Sequence, residues 1–529
     1  MSRPVCFHFC LLLAFAAATA ATNAQTPVSA RVGGAESRAE RAFQAAAHQG
    51  PAALRAFLAG FPKGADLHVH LSGAVYAETF IRDAAEDGLC VDPAGLSFAK
   101  PPCTGRLVPA AQLGGDMTPA NQDLYDRLID AFSMRSFVPS AGWSGHDQFF
   151  ATFGRFGGLK RSHAGEWVDE VAGRAAAQNQ QYLELMQTPP FSHAVQIAHE
   201  IGWNVDPARQ DLGQLRQQLL DHGLREEVAA DREDVRTSEA ARLELEHCGT
   251  PQAAPACRVE TRYIYQVLRG NPPAQVFAQT LLGFETIEAT MEAKEPGFVG
   301  INFVMPEDGF ISMRDYSLQM KMLDYLHSVY PKVHISLHAG ELAEGLTPPE
   351  GMRFHIRQAV EVGHAERIGH GVDVMDEDDA ASLLQELARK HVMIEVNLSS
   401  NEGILGVKGS EHPFSLYRAA HVPVALSTDD EGVSRIDITH EYVRAALDYH
   451  LGYGDLKTLA RTGLEHSFLP GASLWAGEDV YTEPATACRA DAPGAERPTA
   501  GCKLFLDASQ KAAAEWELER RFRAFEAQW

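Results

Sequence analysis

The chain has 529 residues, with 46 Lys and Arg against 70 Asp and Glu, which gives a formal net charge of -24. This length exceeds that of most single cores, but α/β barrels accept long insertions and remain one domain, so we expect one large domain. The negative charge leaves no basic face for a polyanion, which excludes nucleic acid and anionic membrane surfaces as favoured partners and favours a small neutral or cationic ligand.

The first residues have the pattern of an export signal. Arg3 precedes an apolar run from Phe9 to Ala18, and the small residues that follow offer cleavage sites at Ala20 and Ala24. A membrane anchor is the alternative, but the run is too short to span a bilayer. We therefore expect residues 1–24 to be a signal peptide and the mature chain to be periplasmic or secreted, with no membrane contact after cleavage.

The central part of the chain alternates strand-length apolar runs with stretches of helical spacing, such as Ser312 to Tyr330. Most runs are apolar on both faces, which is typical of strands enclosed by helices. We predict an α/β fold, a (β/α)8 TIM barrel over residues 61–470. The eight predicted strands are Asp66–Leu71, Tyr182–Gln187, Arg262–Leu268, Phe298–Val304, His334–His338, Arg367–His370, Met393–Leu398 and Val422–Ser427.

Long segments outside the strands are predicted to be elaborations of this barrel. Residues 25–60 form an N-terminal helical extension, with a docking helix from Arg38 to Leu58, and residues 471–529 form a C-terminal extension. Helical insertions at 72–181 and 205–258 leave the catalytic face of the barrel. They are walls or a lid over the site, or alternatively a surface for a partner.

The cysteines indicate an oxidising compartment. Two of the eight lie in the predicted signal, and the six that remain fall into local couples whose short loops favour pairing between neighbours. A second metal cluster is the alternative, but it lacks any C-x-x-C spacing. The predicted disulfides are Cys90–Cys103, Cys248–Cys257 and Cys488–Cys502.

Histidines and carboxylates stand where several of the predicted strands end, which is the catalytic end of a barrel. His68 and His70 alternate on one strand and so face the same side, although a lone H-x-H also occurs as a buried polar pair. His338 and Asp429 complete a set of three histidines and one carboxylate, with which zinc can activate water. The fourth strand has no lysine to bridge two metals, so we predict one Zn²⁺ per chain.

Acid-base roles are predicted for the polar residues that remain. His370 and Asp429 can orient and deprotonate a water molecule, and Glu341, three residues after His338, can donate a proton to the substrate. The structural alternatives are a carboxylate at a helix N-terminus for Glu341 and a barrel histidine for His370. Their joint occurrence favours catalysis.

Four motifs carry a resemblance to a known family. They resemble the motifs of the adenosine deaminase family, and the similarity runs from about Phe61 to Pro470. The exported context, the cysteines and the long insertions are more similar to the secreted adenosine deaminase-related growth factors than to the compact cytosolic enzymes. The motifs are H-A-G-E at His338–Glu341, R-I-G-H-G at Arg367–Gly371, S-T-D-D at Ser427–Asp430 and S-F-L-P at Ser467–Pro470.

The resemblance implies zinc-dependent hydrolysis of a 6-aminopurine nucleoside to inosine or another 6-oxopurine, with release of ammonia. It implies that Glu341 protonates purine N1, that His370 assists the attack at C6 and that Asp430 binds N7. The implied zinc ligands are His68, His70, His338 and Asp429. The implied partner is a small purine nucleoside, and a homodimer is left open.

Two positions depart from the family pattern. Cytosolic members follow H-x-H with Leu-Asp-Gly, whose aspartate touches the ribose, whereas this chain has Ser72 and Gly73 after Leu71. The family's glycine after the fourth strand has no counterpart, and Glu307 either contacts the purine or caps a turn. Adenine and modified adenosines therefore stay open as substrates, and we name Ser72, Gly73 and Glu307 as candidate substrate-binding residues.

Three other functional classes compete with this interpretation. A cytidine-deaminase-type enzyme needs P-C-x-x-C, which the chain lacks although His364-Ala-Glu366 supplies an H-x-E. A two-metal amidohydrolase is disfavoured by the missing lysine. A noncatalytic extracellular nucleoside-binding or growth-factor-like protein on the same fold is the rival outside enzymes.

Overall fold

The computed structural model describes residues 34–114, 118–204 and 210–529. The predicted signal peptide at 1–24 lies outside the described residues. None of the helices within those ranges combines the length and apolarity that crossing a bilayer requires.

Eight parallel strands form the predicted barrel, and their order in the sheet follows their order in the chain. All are largely buried on both faces, because side chains fill the barrel interior and helices cover the outside. The (β/α)8 prediction is confirmed. The strands are β1 Gly64–His70, β2 Gln180–Gln187, β3 Glu260–Leu268, β4 Phe298–Val304, β5 His334–Ala339, β6 Arg367–His370, β7 Met393–Val396 and β8 Val424–Leu426.

Closure of the barrel takes place at the carboxyl ends of the strands. A parallel bridge joins Val69 of β1 to Asp429, which follows β8. The amide of His70 donates to the Asp429 carbonyl at 3.0 Å, and the amide of Asp429 donates to the His68 carbonyl at 2.9 Å. In the register of β5 and β6, Ala339 pairs with His370. Residues from opposite ends of the chain therefore meet at one end of the barrel.

Helices surround the barrel and close its ends. Pro273–Ala293 is among the most buried, because it packs against β3, β4 and the helices beside it, and Pro273 starts it without losing a needed hydrogen-bond donor. The helices of this layer and of the strand ends are Leu71–Ala74, Ala164–Ala177, Ser192–Ile201, Pro273–Ala293, Phe310–Val329, His355–Glu361, Ala380–Arg389, Leu398–Leu405, Phe414–Ala419, Glu431–Ser434, Ile438–Asp448 and Tyr453–Glu465.

The segment between β1 and β2 builds a small subdomain over the barrel mouth. It has its own apolar cluster, in which Phe80 stacks on Phe156 with ring centroids 4.6 Å apart. The Cys90–Cys103 disulfide ties its short antiparallel sheet to the following loop. The subdomain contains helices Ala77–Glu86, Pro119–Ala131 and Gly145–Arg155, and strands Cys90–Asp92, Ser97–Ala99 and Val108–Pro109.

The segment between β2 and β3 is also helical, as predicted. It contains helices Leu212–Asp221 and Val228–Leu245, which are followed by the Cys248–Cys257 disulfide. The C-terminal extension has a hairpin of Trp475–Gly477 with Val480–Pro484, then helices Ala500–Ala508 and Gln510–Glu526. Its disulfide joins Cys488 to Cys502. All three predicted disulfide pairs are confirmed.

The N-terminal extension differs from the single helix predicted from Arg38 to Leu58. The structure has two helices, Gly34–Gln49 and Pro51–Ala59. Gly50 lies between them with a φ of 106°, and Pro51 cannot donate the hydrogen bond that would continue the first helix. The second helix packs Phe57 against Phe525 of the C-terminal helix at 5.2 Å, so the two extensions contact each other.

Candidate active site

Three histidines direct their Nε2 atoms toward one point at the barrel mouth. In each ring, Nδ1 lies beside an oxygen acceptor: His68 beside Glu395 at 2.6 Å, His70 beside Gln266 at 2.5 Å and His338 beside Asn302 at 2.8 Å. The Asn302 oxygen also accepts from the His338 amide, which fixes the orientation of its carboxamide. Because each Nδ1 then carries the proton, each Nε2 presents a lone pair.

This arrangement fits a metal ion. The Nε2 atoms of His70 and His338 lie 3.2 Å apart, and Asp429 Oδ1 lies 3.3 Å from His70 Nε2 and 3.4 Å from His68 Nε2. The donor atoms of these four residues all lie within 4.8 Å of one another. Converging lone pairs and a carboxylate repel one another unless a cation lies between them. The structure thus brings together all four residues predicted from sequence, and three nitrogens with one oxygen suit zinc.

A buried ion-pair network supports His68 from behind. Glu395 accepts from His68, and its other oxygen contacts Arg367 Nε at 2.7 Å. Arg367 also contacts Glu184 at 2.6 Å and lies over the ring of Phe468 at 3.8 Å. Burial and the two carboxylates oppose each other at Arg367, and the net effect raises its pKa. The network holds the imidazole in one orientation, as ligand positioning requires.

Glu341 is a buried carboxyl group on the loop after β5. Burial raises its pKa well above the ordinary value, and the nearby carboxylates of Asp429 and Glu307 act in the same direction. Such a group keeps its proton near neutral pH and can serve as an acid. Glu341 lines the cavity described below. Its position agrees with the catalytic role that we predicted.

Of the two alternatives for Glu307, the structure favours the turn contact over contact with the purine. Its side chain is buried and does not line the cavity. Instead, its carboxylate accepts from the amides of Gly340 at 3.0 Å and Glu341 at 2.8 Å, and pairs with His355 Nδ1 at 2.6 Å. Burial alone would raise the pKa of Glu307, but the hydrogen bond from His355 and the neighbouring charges lower it to about 2. Glu307 therefore positions the loop that carries Glu341.

His370 and Asp430 complete the floor of the site. His370 has a φ of 71° and Asp429 a φ of 59°, a left-handed backbone conformation that is uncommon for residues other than glycine. Burial lowers the pKa of His370 to about 3, so the ring is neutral. Asp430 Oδ1 is buried and has no partner within the described residues. This oxygen is available to a ligand.

Gly73 has no side chain, and this leaves room for the side chain of Asp430. A Cβ at this position would lie 1.4 Å from Asp430 Oδ1. Gly73 is not among the cavity-lining residues, and the absence of a side chain there allows Asp430 to approach; its contact with substrate stays a prediction. Ser72 does line the cavity, as predicted.

The cavity over these groups measures about 320 Å³. One wall is aromatic and comes from helix Gly145–Arg155, which contributes Phe149, Phe150 and Phe153. His146 of this helix pairs with Asp308 at 2.9 Å and so ties the wall to the loop after β4. The first insertion is therefore a wall of the site. The remaining lining residues are His70, Ser72, Thr188, Gln266, Leu268, Val304, Met305, Pro306, His338, Glu341, His370, Asp429 and Asp430.

A larger open cleft of about 680 Å³ lies at the opposite end of the strands, next to His334 and Glu366. It is remote from the converging histidines, and catalytic groups of barrels lie at the carboxyl ends of the strands. We therefore place the candidate active site in the smaller cavity.

Several residues of the site were not predicted from sequence. Glu395, Gln266 and Asn302 orient the three histidines, and Ser400 donates to Asp429 Oδ2 at 2.6 Å. Asp66 joins β1 to the segment after β8 by accepting from the amide and hydroxyl of Thr428. The sequence did contain a signal for three of them. Gln266, Asn302 and Glu395 are polar residues within largely apolar strands, and such residues are rarely buried without a partner.

Comparison with known proteins assigns the family. The family model for adenosine deaminase matches residues 166–474, more than half of the chain. The chain belongs to the adenosine deaminase family. The matched segment begins after β1, so His68 and His70 lie outside it. The fold brings these two histidines next to His338 and Asp429, which lie within it. This membership agrees with the resemblance recognised in the motifs.

Individual members of the adenosine deaminase family match parts of the chain. An adenosine deaminase of Clostridium perfringens (strain SM101) is 30% identical over 187 residues, which is 35% of this chain and 51% of that protein. One from strain ATCC 13124 is 33% identical over 135 residues, 25% and 37% of the two chains. The chain thus spans about half the length, or less, of these curated relatives.

Among solved structures, an adenine deaminase from Arthrobacter aurescens is 18% identical with a TM-score of 0.49. The match covers 77% of this chain and 94% of the adenine deaminase chain.

Proposed function

We propose that the protein deaminates adenosine or a closely related neutral 6-aminopurine nucleoside by hydrolysis, with one zinc ion per chain. Water adds at purine C6, ammonia leaves, and the 6-oxopurine nucleoside is the product. The observation that carries this proposal is the convergence of three Nε2 lone pairs with Asp429 beside a buried, protonated Glu341. Membership of the adenosine deaminase family supports the reaction class.

His68, His70, His338 and Asp429 would hold the metal. A bound zinc ion supplies a Lewis acid that makes water a nucleophile near neutral pH. Asp429 keeps one oxygen among the ligand nitrogens and accepts a hydrogen bond from Ser400 with the other, so its orientation is fixed.

Glu341 would act as the acid on the purine ring. Its proton moves to ring nitrogen N1 as water adds to C6, which avoids a negative charge on the ring. The proton that the water releases would pass by way of Asp429 to the departing amine, and Glu341 would recover its proton when the C6 hydroxyl becomes the carbonyl. Glu307 holds the backbone of this loop, so the carboxyl group approaches the cavity from a fixed direction. Asp430, whose Oδ1 has no partner within the described residues, would donate to N7 at the other ring edge, because burial raises the pKa of this carboxyl group and favours its protonated form.

The cavity lining favours a nucleoside over a nucleotide. Among the described residues that line it, none is Lys or Arg, and the polar groups away from the catalytic set are the neutral Ser72, Thr188 and Gln266. A phosphate group would enter a site that already holds the carboxylate of Asp429, and no Lys or Arg among the described lining residues would balance its charge.

The first test is loss of adenosine absorbance with purified mature protein and one equivalent of zinc. The panel contains adenosine, 2′-deoxyadenosine, adenine and AMP. We expect turnover of adenosine, little turnover of AMP, and loss of activity with a chelator that zinc restores. A panel without turnover, together with binding of adenosine in calorimetry, would instead favour the noncatalytic binding protein.

Ser72 favours a second candidate substrate, either adenine or an adenosine modified on its sugar. It lines the cavity where cytosolic members of the family carry an aspartate that touches the ribose. If the missing carboxylate alters the preference, Ser72→Asp should raise kcat/KM for plain adenosine about 10-fold, the scale of one hydrogen bond to a charged group. The ratio of adenosine to adenine turnover measures this. An unchanged ratio would contradict it.

We also propose that the protein is exported, to the periplasm or beyond the cell. The three disulfides support this, because such bonds persist in oxidising compartments. Cell fractionation with N-terminal sequencing of the mature protein tests it. We expect cleavage near Ala20 or Ala24; an uncleaved chain in the cytosol would refute export.

A further inference from the structure

A buried chain of hydrogen bonds connects a backbone amide to His370. It begins at Phe414, whose N–H donates to His412 Nδ1 at 3.1 Å. A backbone amide can only donate, so Nδ1 of His412 is an acceptor and carries no proton. Burial lowers the pKa of His412 to about 4, and nearby Arg444 acts in the same direction. The ring is therefore neutral, and its single proton lies on Nε2.

The next link is Asn401, on the helix that follows β7. His412 Nε2 lies 3.0 Å from Asn401 Oδ1, and because this nitrogen carries the proton, the carboxamide oxygen accepts from it. The two ends of a carboxamide are hard to distinguish by shape alone, but the donor at His412 decides the orientation here. The Asn401 NH₂ group consequently faces the other way, toward His370.

Asn401 Nδ2 lies 2.9 Å from Nδ1 of His370. An NH₂ group can only donate, so His370 Nδ1 accepts and is unprotonated. Both intermediate side chains are almost fully buried, which keeps water from replacing any link. A second amide nitrogen, that of Asn397, lies 3.5 Å from the same atom.

We propose that His412 and Asn401 are positioning residues that hold His370 as the Nε2–H tautomer, so that it faces the metal site as a hydrogen-bond donor. His370 Nε2 is buried and has no partner within the described residues. Its ring centroid lies 5.0 Å from that of His68 and 5.2 Å from that of His338. The N–H of His370 is therefore directed to a group that the substrates supply, such as the oxygen of the attacking water.

This tautomer separates His370 from the other three histidines. Those rings keep Nδ1 protonated through oxygen acceptors and offer Nε2 lone pairs, whereas His370 receives a donor at Nδ1 and offers an N–H. An N–H cannot bind a metal ion, so His370 stays outside the ligand set although it lies beside it. It also cannot accept a proton at Nε2, so its role is to orient the water.

The opposite tautomer of His370 would break this chain of hydrogen bonds. Nδ1–H on His370 would need an oxygen from Asn401, which would turn the Asn401 NH₂ group toward the protonated Nε2 of His412. His412 could avoid that clash only with its proton on Nδ1, where the Phe414 amide already donates. At least one buried donor would then face another donor, which costs about 1 to 3 kcal/mol.

Nitrogen NMR of ¹⁵N-histidine-labelled protein tests the assignment, with the His370 signals identified by their loss in His370→Asn. Spectra are recorded for the metal-free and zinc-loaded protein. We expect the Nε2–H pattern in both forms. The Nδ1–H pattern in the wild-type protein would overturn the proposal, and this result would not depend on any variant.

Three variants test this chain of hydrogen bonds. Asn401→Asp exchanges NH₂ for an oxygen of similar size, so we expect the Nδ1–H tautomer and a loss of kcat of about 10- to 100-fold, the range for residues that support metal-site groups. His412→Phe should yield a mixture of tautomers, and His412→Gln, which still donates to Asn401, should restore the Nε2–H form. Unchanged His370 signals in Asn401→Asp and His412→Phe would refute the role of both residues.

The catalytic consequence rests on the proposed deaminase function, whereas the tautomer does not. If no purine is turned over but the Nε2–H pattern is found, the proposed function fails and this inference stands. If adenosine is deaminated and the Nδ1–H pattern is found, the inference fails and the proposed function stands.

Discussion

At the scale of single residues, Glu341 and Glu307 show how two buried carboxyl groups on neighbouring loops differ in protonation. Burial raises the pKa of Glu341, and the carboxylates of Asp429 and Glu307 act in the same direction. At Glu307 burial is outweighed by His355, Arg269 and the Glu341 amide, which lower its pKa. Glu341 keeps its proton, as the proposed acid role requires, and Glu307 stays ionised and holds the loop. Opposed environments of this kind indicate acid and anchor roles.

Glu341→Gln should retain the metal and lose activity. The amide keeps the size of the side chain but cannot donate an acidic proton, so we expect kcat to fall by about 10²- to 10⁴-fold. Zinc content after dialysis should remain one per chain, because Glu341 is not among the four converging ligands. Glu344→Gln, on the exposed part of the same loop, is the matched control. Activity near wild type in Glu341→Gln would exclude the acid role.

Glu307→Gln should weaken the loop without removing the metal. The pKa of Glu307 lies below its ordinary value, so the ionised form stabilises the fold above about pH 4.5, and this contribution disappears as pH falls toward 2. We expect the variant to lose about 2 to 3 kcal/mol of unfolding free energy at neutral pH, on the scale of such a shift. kcat should fall because Glu341 is less well positioned.

Denaturant unfolding from pH 7 down to pH 2 measures this effect. The difference between wild type and variant should shrink through the acid range. Asp308→Asn is the neighbouring control, because Asp308 pairs with His146 and not with the Glu341 loop. A difference that does not depend on pH would contradict the ionised anchor.

At the scale of elements, helix Gly145–Arg155 forms the aromatic wall of the cavity. Ser144 and Asp147 form a capping box at its start, and the His146–Asp308 pair fastens it to the barrel. Phe150 and Phe153 are half-buried and line the cavity, whereas Phe156, beyond the helix end, packs inside the subdomain. One segment therefore contributes both to the cavity and to the core of the subdomain.

Phe153→Ala should weaken substrate use without destabilising the metal. Contact of a nucleobase with an aromatic side chain contributes about 1 to 3 kcal/mol, so we expect kcat/KM for adenosine to fall about 5- to 150-fold. Phe156→Leu is the control, because it should lower thermal stability while KM stays the same. A KM for adenosine unchanged in Phe153→Ala would show that this wall does not contact the purine.

At the scale of the whole molecule, two kinds of long-range connection hold the chain together. The bridge between Val69 and Asp429 closes the barrel, and the contact between Phe57 and Phe525 joins the terminal extensions. The disulfides, by contrast, are local, with separations of 9 to 14 residues. They restrain individual loops and do not link distant parts of the fold.

Reduction of the disulfides should therefore lower the free energy of unfolding by a small, separate amount for each bond. Each disulfide is expected to contribute about 2 to 3 kcal/mol by restricting the unfolded chain. Alkylation should label six thiols after reduction and none before it, as measured by intact mass. The double variant Cys248→Ser with Cys257→Ser should lower Tm but retain adenosine turnover, because that loop does not line the cavity. Six labelled thiols without reduction would contradict the pairing in the exported protein.

Local patterns in the sequence were sufficient for the barrel and for the residues that the structure brings together at the candidate site. Apolar runs of strand length set the eight strands, because strands buried on both faces need apolar residues throughout. Paired histidines on β1 and the motifs after β5, β6 and β8 indicated His68, His70, His338, Glu341, His370 and Asp429, since these side chains stand at strand ends. Neighbouring cysteines indicated the disulfides, because short loops close most readily.

Only the tertiary structure decided what each polar residue contacts. Glu307 lies two residues after its strand and close to the site, yet its carboxylate turns toward Gly340 and Glu341, whose amides come from another loop. Likewise, Glu395, Asn401 and His412 gain their roles from partners far away in sequence. The direction of a buried polar group depends on which donors and acceptors the fold places beside it, and spacing along one chain does not encode that choice.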